Sequence, residues 1–341
     1  MKKLLCVLLV FVLGVTALLA GCGNSKEETA KEADAPAADP VDVKVIALKG
    51  PTAMGMVQFM DEADAGNLTD NNYSFEIAAA VDEVTPKIVQ GEVDIAAVPA
   101  NLSSVLYNNT DGGVTVLAIN TLGVLYIVEK GQSVQSVADL KGKTIYASGM
   151  GATPEYALNY ILRGNGLDPE TDVNIEWKSE HAECLTSLVS SADGVALLPQ
   201  PFVTTALAKD DSIRVALDLN EAWDALNADA EDGSSLVTGV VVVRTAFLEE
   251  HPEAVAAFME HYRDSVDYVN ANVAEAAQLI EKYDIVPATV AEKALPACNI
   301  VFIDGAEMKT KLSGYLQSLF DQNPKAVGGT LPADAFYYVA S

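Results

Sequence analysis

From position 43 onward, short β-branched apolar runs alternate with longer stretches in which apolar residues recur every three or four positions. The runs predict strands over 43–48, 73–80, 94–98, 114–120 and 124–129, and the longer stretches predict helices over 54–65, 85–90 and 102–107. The pattern then restarts. A polar approach over 137–143 leads to a strand over 144–147, a loop Ser148-Gly149-Met150-Gly151-Ala152-Thr153 and a helix over 154–165. A strand over 173–177, a helix over 182–190, a strand over 195–198 and a helix over 202–208 follow. The acidic stretch 220–234 reads as a loose loop, 237–244 as a long apolar strand, and the remainder as mostly helical, over 252–270, 273–282 and 306–322. This βαβα order predicts an α/β protein with largely parallel sheets covered by helices on both faces. Two such units and a helical tail predict two lobes with a cleft between them. Ligands collect at the carboxyl ends of strands in open α/β sheets, so the loops after each strand are where binding residues belong.

Before that body the chain runs apolar over 4–20 behind Lys2 and Lys3, interrupted only by Cys6, Gly14 and Thr16. A basic start and a short apolar core describe an export signal. The run is barely long enough to span a bilayer and has no charged stop beyond it. Leu19-Ala20-Gly21-Cys22 is similar to the lipobox of bacterial lipoproteins, in which the cysteine is acylated and becomes the mature N-terminus. An ordinary cleaved signal that happens to contain a cysteine is the alternative. Residues 1–21 are therefore expected to be a lipoprotein signal peptide and Cys22 the lipidation site. Residues 24–40 are Lys, Glu, Asp, Ala and Pro with almost nothing apolar, so 22–42 is expected to be a disordered linker. Its reach is at most about 65 Å, and acyl chains would anchor it at about 0.8 kcal/mol per buried methylene.

The 341 residues carry 21 Lys and Arg against 48 Asp and Glu, a formal charge of −27; loss of 1–21 removes two lysines and makes it −29. Such a surface repels nucleic acid and anionic lipid head groups, and no basic cluster follows Lys3. Of the four cysteines, Cys184 and Cys298 remain in the body, far apart and without metal-type spacing. They form either a disulfide or two buried thiols. No metal or cofactor is expected.

Four segments carry a resemblance. Gln90-Gly91-Glu92-Val93-Asp94-Ile95-Ala96 is a turn into a strand, and Asp139-Leu140-Lys141-Gly142-Lys143-Thr144-Ile145 opens the second unit. Asp193-Gly194-Val195-Ala196-Leu197-Leu198-Pro199-Gln200-Pro201-Phe202 ends a strand on a Pro-Phe step. Phe247-Leu248-Glu249-Glu250-His251-Pro252-Glu253-Ala254-Val255 starts a helix. In this order they resemble type 2 periplasmic binding proteins, in the nitrate/sulfonate/taurine and thiamine-precursor branch of ABC-transporter substrate-binding lipoproteins. The resemblance implies lobe one over 43–125 plus 236–341 and lobe two over 126–235. It also implies hinge closure on a solute, as periplasmic binding proteins show generally, and delivery to a membrane permease.

Candidate ligand contacts follow from the loops. In Lys49-Gly50-Pro51-Thr52-Ala53-Met54-Gly55, the candidates are Thr52, Ala53 and Met54, with Thr52 either capping a helix or donating to ligand. Asn101 is again cap or contact; Asn120 and Thr121 turn toward the hinge and are favoured as contacts. Gly151, Ala152 and Thr153, ahead of Pro154, form either an anion-binding helix start or a tight turn. Glu155 is either a first-turn acid facing away or a cleft group favouring an amine or heterocycle. His181 either donates to a ligand or is an exposed residue at a helix start, Gln200 follows the last strand of lobe two, and Phe202 stacks on a flat ligand or packs under the hinge. None of Arg163, Arg214, Arg244 and Arg263 falls at a cleft loop, so no bidentate clamp on a carboxylate or phosphate is expected.

The sequence thus points to a lipid-anchored, monomeric binding component of an ABC importer on the outer face of a Gram-positive cytoplasmic membrane. The solute would be a sulfonate, a thiamine precursor or another heterocycle. An enzyme on the same fold, as in pyrimidine or menaquinone biosynthesis, is the rival reading, and a surface receptor without transport is a second. Catalysis wants a nucleophile–base pair, a metal cluster or a carboxylate dyad, and with three histidines no such constellation is visible.

Overall fold

The β-branched runs become the strands of two sheets. The computed structural model describes residues 40–228 and 233–339, all within one compact unit, Asp39–Ser341; the expected signal peptide, Cys22 and nearly all of the expected linker lie outside the described residues. The chain opens with β1 (Asp42–Leu48), α1 (Pro51–Met54), α2 (Val57–Asp64), β2 (Asn72–Ala78), α3 (Val81–Gln90), β3 (Ile95–Pro99), α4 (Ala100–Asn109) and β4 (Val114–Leu122). It then crosses to β5 (Leu125–Lys130), β6 (Thr144–Ser148), α5 (Thr153–Gly164), β7 (Asn174–Lys178), α6 (His181–Ser190), β8 (Val195–Pro199), α7 (Phe202–Lys209), β9 (Ile213–Asp218) and α8 (Leu219–Asn227). It returns through β10 (Val237–Arg244), α9 (Thr245–Glu250), α10 (Pro252–Ala271), α11 (Val273–Lys282), α12 (Ala288–Ala294), β11 (Ile300–Asp304) and α13 (Gly305–Gln322).

One sheet runs β2-β1-β3-β10-β4-β11 and the other β7-β6-β8-β5-β9. Both are mixed, not largely parallel. β1 lies parallel to β2 and β3, and β6 parallel to β7 and β8. β10 is antiparallel to β3 and β4, and β5 to β8 and β9. The strand entering each sheet from the other lobe starts at the cleft, where that sheet's parallel strands end, so it must run against them. The central strands β4 and β10 are buried almost throughout, as a strand covered on both faces requires.

Three local expectations change. The helix expected over 54–65 is two pieces, because Gly55 packs where a Cβ would stand 2.9 Å from Ile300 Cγ2 and 3.2 Å from Val266 Cγ2. The acidic loop expected over 220–234 begins as α8: Asp218 accepts hydrogen bonds from the Asn220 and Glu221 amides as its cap, and Leu219 and Trp223 are buried. Six acids from 218 to 232 hid that i, i+4 pair. In the helical tail, Ile300–Asp304 adds β11 to the edge of the larger sheet, antiparallel to β4.

The two sheets are tied together by packing as well as by chain crossings. One hydrophobic cluster takes in Val116 and Val240 of the larger sheet, Ile127 and Ile145 of the smaller, and Trp223 and Tyr315. Trp223 stacks on Tyr160 with ring centroids 4.0 Å apart and meets Tyr315 of α13 at 5.6 Å. α13 also reaches α5 directly: Gln322 Nε2 donates to the Tyr156 carbonyl at 3.2 Å, and the Asn323 amide just after the helix donates to Tyr156 Oη at 2.9 Å. Cys184 and Cys298 are free and buried, and burial pushes the Cys298 thiol up to about 12.

At the end of the smaller sheet away from the cleft, buried Glu129 on β5 accepts from Arg214 Nη2 of β9 at 2.6 Å and from the Ser133 and Val134 amides. Burial alone would raise its pKa, but the Val134 amide, Ser133 and Arg214 outweigh it and hold the carboxyl below its ordinary range. Its contribution to stability is therefore complete above the unfolded carboxylate value of about 4.3 and is lost as pH falls through the lower folded value. Glu129→Gln is expected to cost roughly 2 kcal/mol at pH 7, leaving Arg214 underpaired. Urea denaturation should show that gap shrinking toward pH 3; a gap independent of pH would remove the pair from the account.

Candidate functional site

The strand directions place one end of each sheet at a common gap. β1 and β3 end there at Leu48 and Pro99, and β10 starts there, since Gly239 pairs with Pro99. On the other side β6 ends at Ser148 and β8 at Pro199, and β5 starts opposite Pro199 at Leu125. The gap holds two adjoining chambers. The inner, about 360 Å3, is lined from the larger sheet's side by Leu48, Thr52, Val81, Pro99, Asn101, Leu102 and Thr238, and from the smaller's by Leu125, Ala152, Thr153, Pro154, His181 and Pro199. The outer, about 650 Å3, is bounded by Lys49, Gln200, Phe202, Ile285, Pro287 and Val290 among others. Val124, His181, Pro199 and Thr238 line both, and so form the boundary between them.

These walls are mainly apolar, with a few hydrogen-bonding side chains, the usual character of a small-molecule site. Among the described residues lining either chamber, Lys49 alone carries a full charge, and its ammonium sits 3.2 Å from Asp284. Burial pushes the His181 imidazole below its ordinary pKa, so it is neutral at pH 7. Its Nδ1 shares a 2.5 Å hydrogen bond with Ser148 Oγ, and its ring lies 5.3 Å from that of Phe202. Ser148 is itself buried, and the contact orients the imidazole. No group of three metal-ligating side chains occurs among the described residues.

The family described as NMT1/THI5 like matches residues 78–276, more than half of the sequence. The chain belongs to that family. Solved structures agree on the fold. An ABC transporter from Parabacteroides distasonis is similar over 88% of this chain and 99% of its own, with TM-score 0.73 and 24% identity. The periplasmic aliphatic sulphonate binding protein SsuA from Escherichia coli aligns over 87% and 96%, with TM-score 0.68 and 14% identity. The periplasmic nitrate-binding protein NrtA from Synechocystis PCC 6803 aligns over 74% and 69%, with TM-score 0.54 and 14% identity. No curated protein sequence matches. The architecture is the two-lobed type 2 periplasmic-binding-protein fold with a helical C-terminal region.

Within this NMT1/THI5-like chain, the structure brings Thr52, Asn101, Ala152, Thr153 and His181 to the inner chamber and His181, Gln200 and Phe202 to the outer. Neither Thr52 nor Asn101 is a cap: the N-cap positions are Gly50 and Pro99, and both residues sit inside their helices. Asn120 and Thr121 line neither chamber. Asn120 is buried, donates to the Thr52 carbonyl at 3.0 Å and accepts from Thr121 Oγ1 at 3.1 Å, so the pair holds Thr52 in place. Ala53 and Met54 are wholly buried in the core behind it. Glu155 lies outside both chambers, its Oε2 accepting from the Gly151 amide at 2.5 Å. That contact closes the glycine turn, and Gly151 also lines neither chamber. The arginines stay clear of the cleft: Arg244 pairs with Asp94 at the far end of β10, Arg214 with Glu129, and Arg263 with Asp304, while Arg163 lines depressions on the outside of α5.

Sequence reasoning missed Gly239 and Thr238. A Cβ on Gly239 would stand 2.5 Å from Asn120 Oδ1 and 3.2 Å from both Thr121 Oγ1 and Thr52 Oγ1. Only a bare backbone lets these three polar side chains converge. A glycine inside an apolar strand was the available signal. Gly239→Ala is expected to drive Asn120 off Thr52, to cost about 1–3 kcal/mol, and to lower the melting temperature accordingly. An alanine variant as stable as the parent would show that Asn120 yields at no cost.

Proposed function

We propose that this chain is a lipid-anchored substrate-binding protein of an ABC importer, which captures a small organic solute by closing its lobes and hands it to a membrane permease. The observation that carries the reading is the pair of chambers at the strand ends, built from both sheets at once. A solute held by Thr52 and Asn101 on one side and by Thr153 and His181 on the other contacts both lobes. Such a solute binds the closed arrangement better than the open one and so drives closure. The closing bodies would be 43–125 with 236–341, and 126–235. Family membership and the similar solved structures, which are transport binding proteins, support a solute-binding role.

The wall chemistry favours an uncharged or weakly charged heterocycle over a compact anion. The apolar lining, the neutral His181 and the paired Lys49 offer no full positive charge to a sulfonate or nitrate. The acidic surface repels anions at longer range. The tether rests on Leu19-Ala20-Gly21-Cys22 and the polar stretch after it. No helix among the described residues is long and apolar enough to cross a membrane. A lipid on Cys22 would keep the cleft near its permease on the outer face of a Gram-positive membrane and leave the body, a monomer, free to turn.

Thermal denaturation against nitrate, taurine, 4-amino-5-hydroxymethyl-2-methylpyrimidine and riboflavin tests the solute class. At a hundred times its dissociation constant a bound solute adds about 2.7 kcal/mol, a shift of several degrees, expected for at least one heterocycle. If none of the four moves the melting temperature, the small-solute reading fails. Separately, Cys22→Ser is expected to release the protein from the membrane fraction into the medium. Retention of that variant in membranes would remove the anchor.

A further inference from the structure

One polar atom in the cleft stands out for having nothing to do. Thr238 Oγ1 is buried and has no hydrogen-bond partner, one of two such side-chain atoms among the described residues. Thr238 lines both chambers from the larger sheet's side, as His181 does from the smaller's. The ladder between β10 and β4 is irregular here: Val237 pairs with Leu122, Gly239 with Thr121 and Val240 with Ile119, so Thr238 and Asn120 are each skipped in turn. Irregularities of this kind recur beside binding sites, where they re-aim side chains. A buried hydroxyl without a partner is destabilising, and a valine would fit the same strand position without that penalty. Thr238 is therefore poorly explained as scaffold and well explained as a group awaiting a solute atom.

Its surroundings are already committed. Gln200 Oε1 accepts from the Thr204 amide and hydroxyl, Thr153 Oγ1 accepts from Tyr315 Oη, and Asn101 Nδ2 leans on the Ala326 carbonyl at 3.5 Å. These contacts leave Asn101 and Thr153 to hold a solute through their remaining polar atoms, and at the boundary the Thr238 hydroxyl and the Nε2 edge of His181 are the groups that meet it.

Resting on the solute-binding reading above, we propose that Thr238 is the specificity-determining residue. Its hydroxyl takes the hydrogen bond made at the boundary by a solute that is uncharged, mainly apolar and long enough to occupy both chambers. A compact anion that reached that hydroxyl would meet no unpaired positive charge in either chamber; an extended heterocycle with a polar atom at mid-length satisfies it.

The test is Thr238→Val on the full chain, with Thr238→Ser as the conservative partner. Each is measured by thermal denaturation without solute and by titration calorimetry with riboflavin, the one-ring pyrimidine, taurine and nitrate. The valine variant should melt at the same temperature as the parent or higher, yet bind riboflavin about tenfold more weakly, while the serine variant keeps parental affinity. Riboflavin should also bind the parent more tightly than the one-ring pyrimidine. A valine variant that melts lower assigns Thr238 to the scaffold and overturns the proposal. So does unchanged riboflavin affinity, or tightest binding by nitrate or taurine; in these cases solute binding itself survives. Should none of the four bind the parent, the solute-binding reading falls and this proposal falls with it.

Discussion

The cleft depends on the chain passing from one sheet to the other at Gly123. A Cβ there would stand 2.8 Å from Leu236 Cδ2 and 2.9 Å from Asn220 Cβ, so the outgoing and returning crossings lie against each other with room only for glycine. Gly123 is pinned from both sides: its amide donates to Asn220 Oδ1 of α8, and its carbonyl accepts from the Asn299 side chain beside β11. Nearby, Tyr126 on β5 donates to the Ala297 carbonyl at 2.8 Å. Because both crossings run through this point, β5 and β10 must start at the gap where the parallel strands end. That single constraint makes both sheets mixed, faces their carboxyl ends at each other and leaves two chambers between them. The irregular pairing of β10 with β4 around Thr238 follows within a few residues of the same crossing.

Much of this was legible in the sequence because it is periodic. The strands of the two α/β units, the restart near 137 and the helices over 252–270 and 273–282 all come from apolar spacing, and they are present. The family motifs were legible too, but what they encode is mostly scaffold. Gly91 ends α3 in the left-handed region at φ 73°, and Asp94 accepts from the Lys44 amide and from Arg244 Nη2 at the end of the sheet remote from the cleft. The stretch after Asp218 was illegible because its helix buries only Leu219 and Trp223 on one narrow face, and the reward for Trp223 comes from Tyr160 and Tyr315, far away in sequence.

The candidate site divides along the same line. Loop position after a strand found Thr52, Asn101, Thr153, His181 and Phe202, since topology alone sends such loops to the gap. It could not separate residues that face the gap from those one layer behind. Asn120, Thr121, Ala53 and Met54 occupy that second layer, and their value is that they hold Thr52 still. Glu155 escaped the gap through a local contact, its carboxylate closing on the amide of Gly151. Thr238 was invisible for the opposite reason: in sequence it is one polar residue entering an apolar strand, and only the structure shows its hydroxyl unpartnered on a residue that lines the chambers.

Selectivity in such a site comes from the few polar groups that the protein has not already satisfied. A strongly acidic chain without a charged clamp in its cleft disfavours anions but cannot tell one neutral solute from another by charge, and an apolar wall ranks them only by shape. Discrimination between neutral molecules of similar shape then rests on hydrogen bonds that one makes and another leaves unmade. A buried polar group left unpaired by the wrong ligand is a stronger discriminator than an added methylene. On the proposed reading the cost is borne by the free protein, in which the Thr238 hydroxyl is buried and unpartnered. Stability given up at that one hydroxyl would then be returned as a preference among solutes.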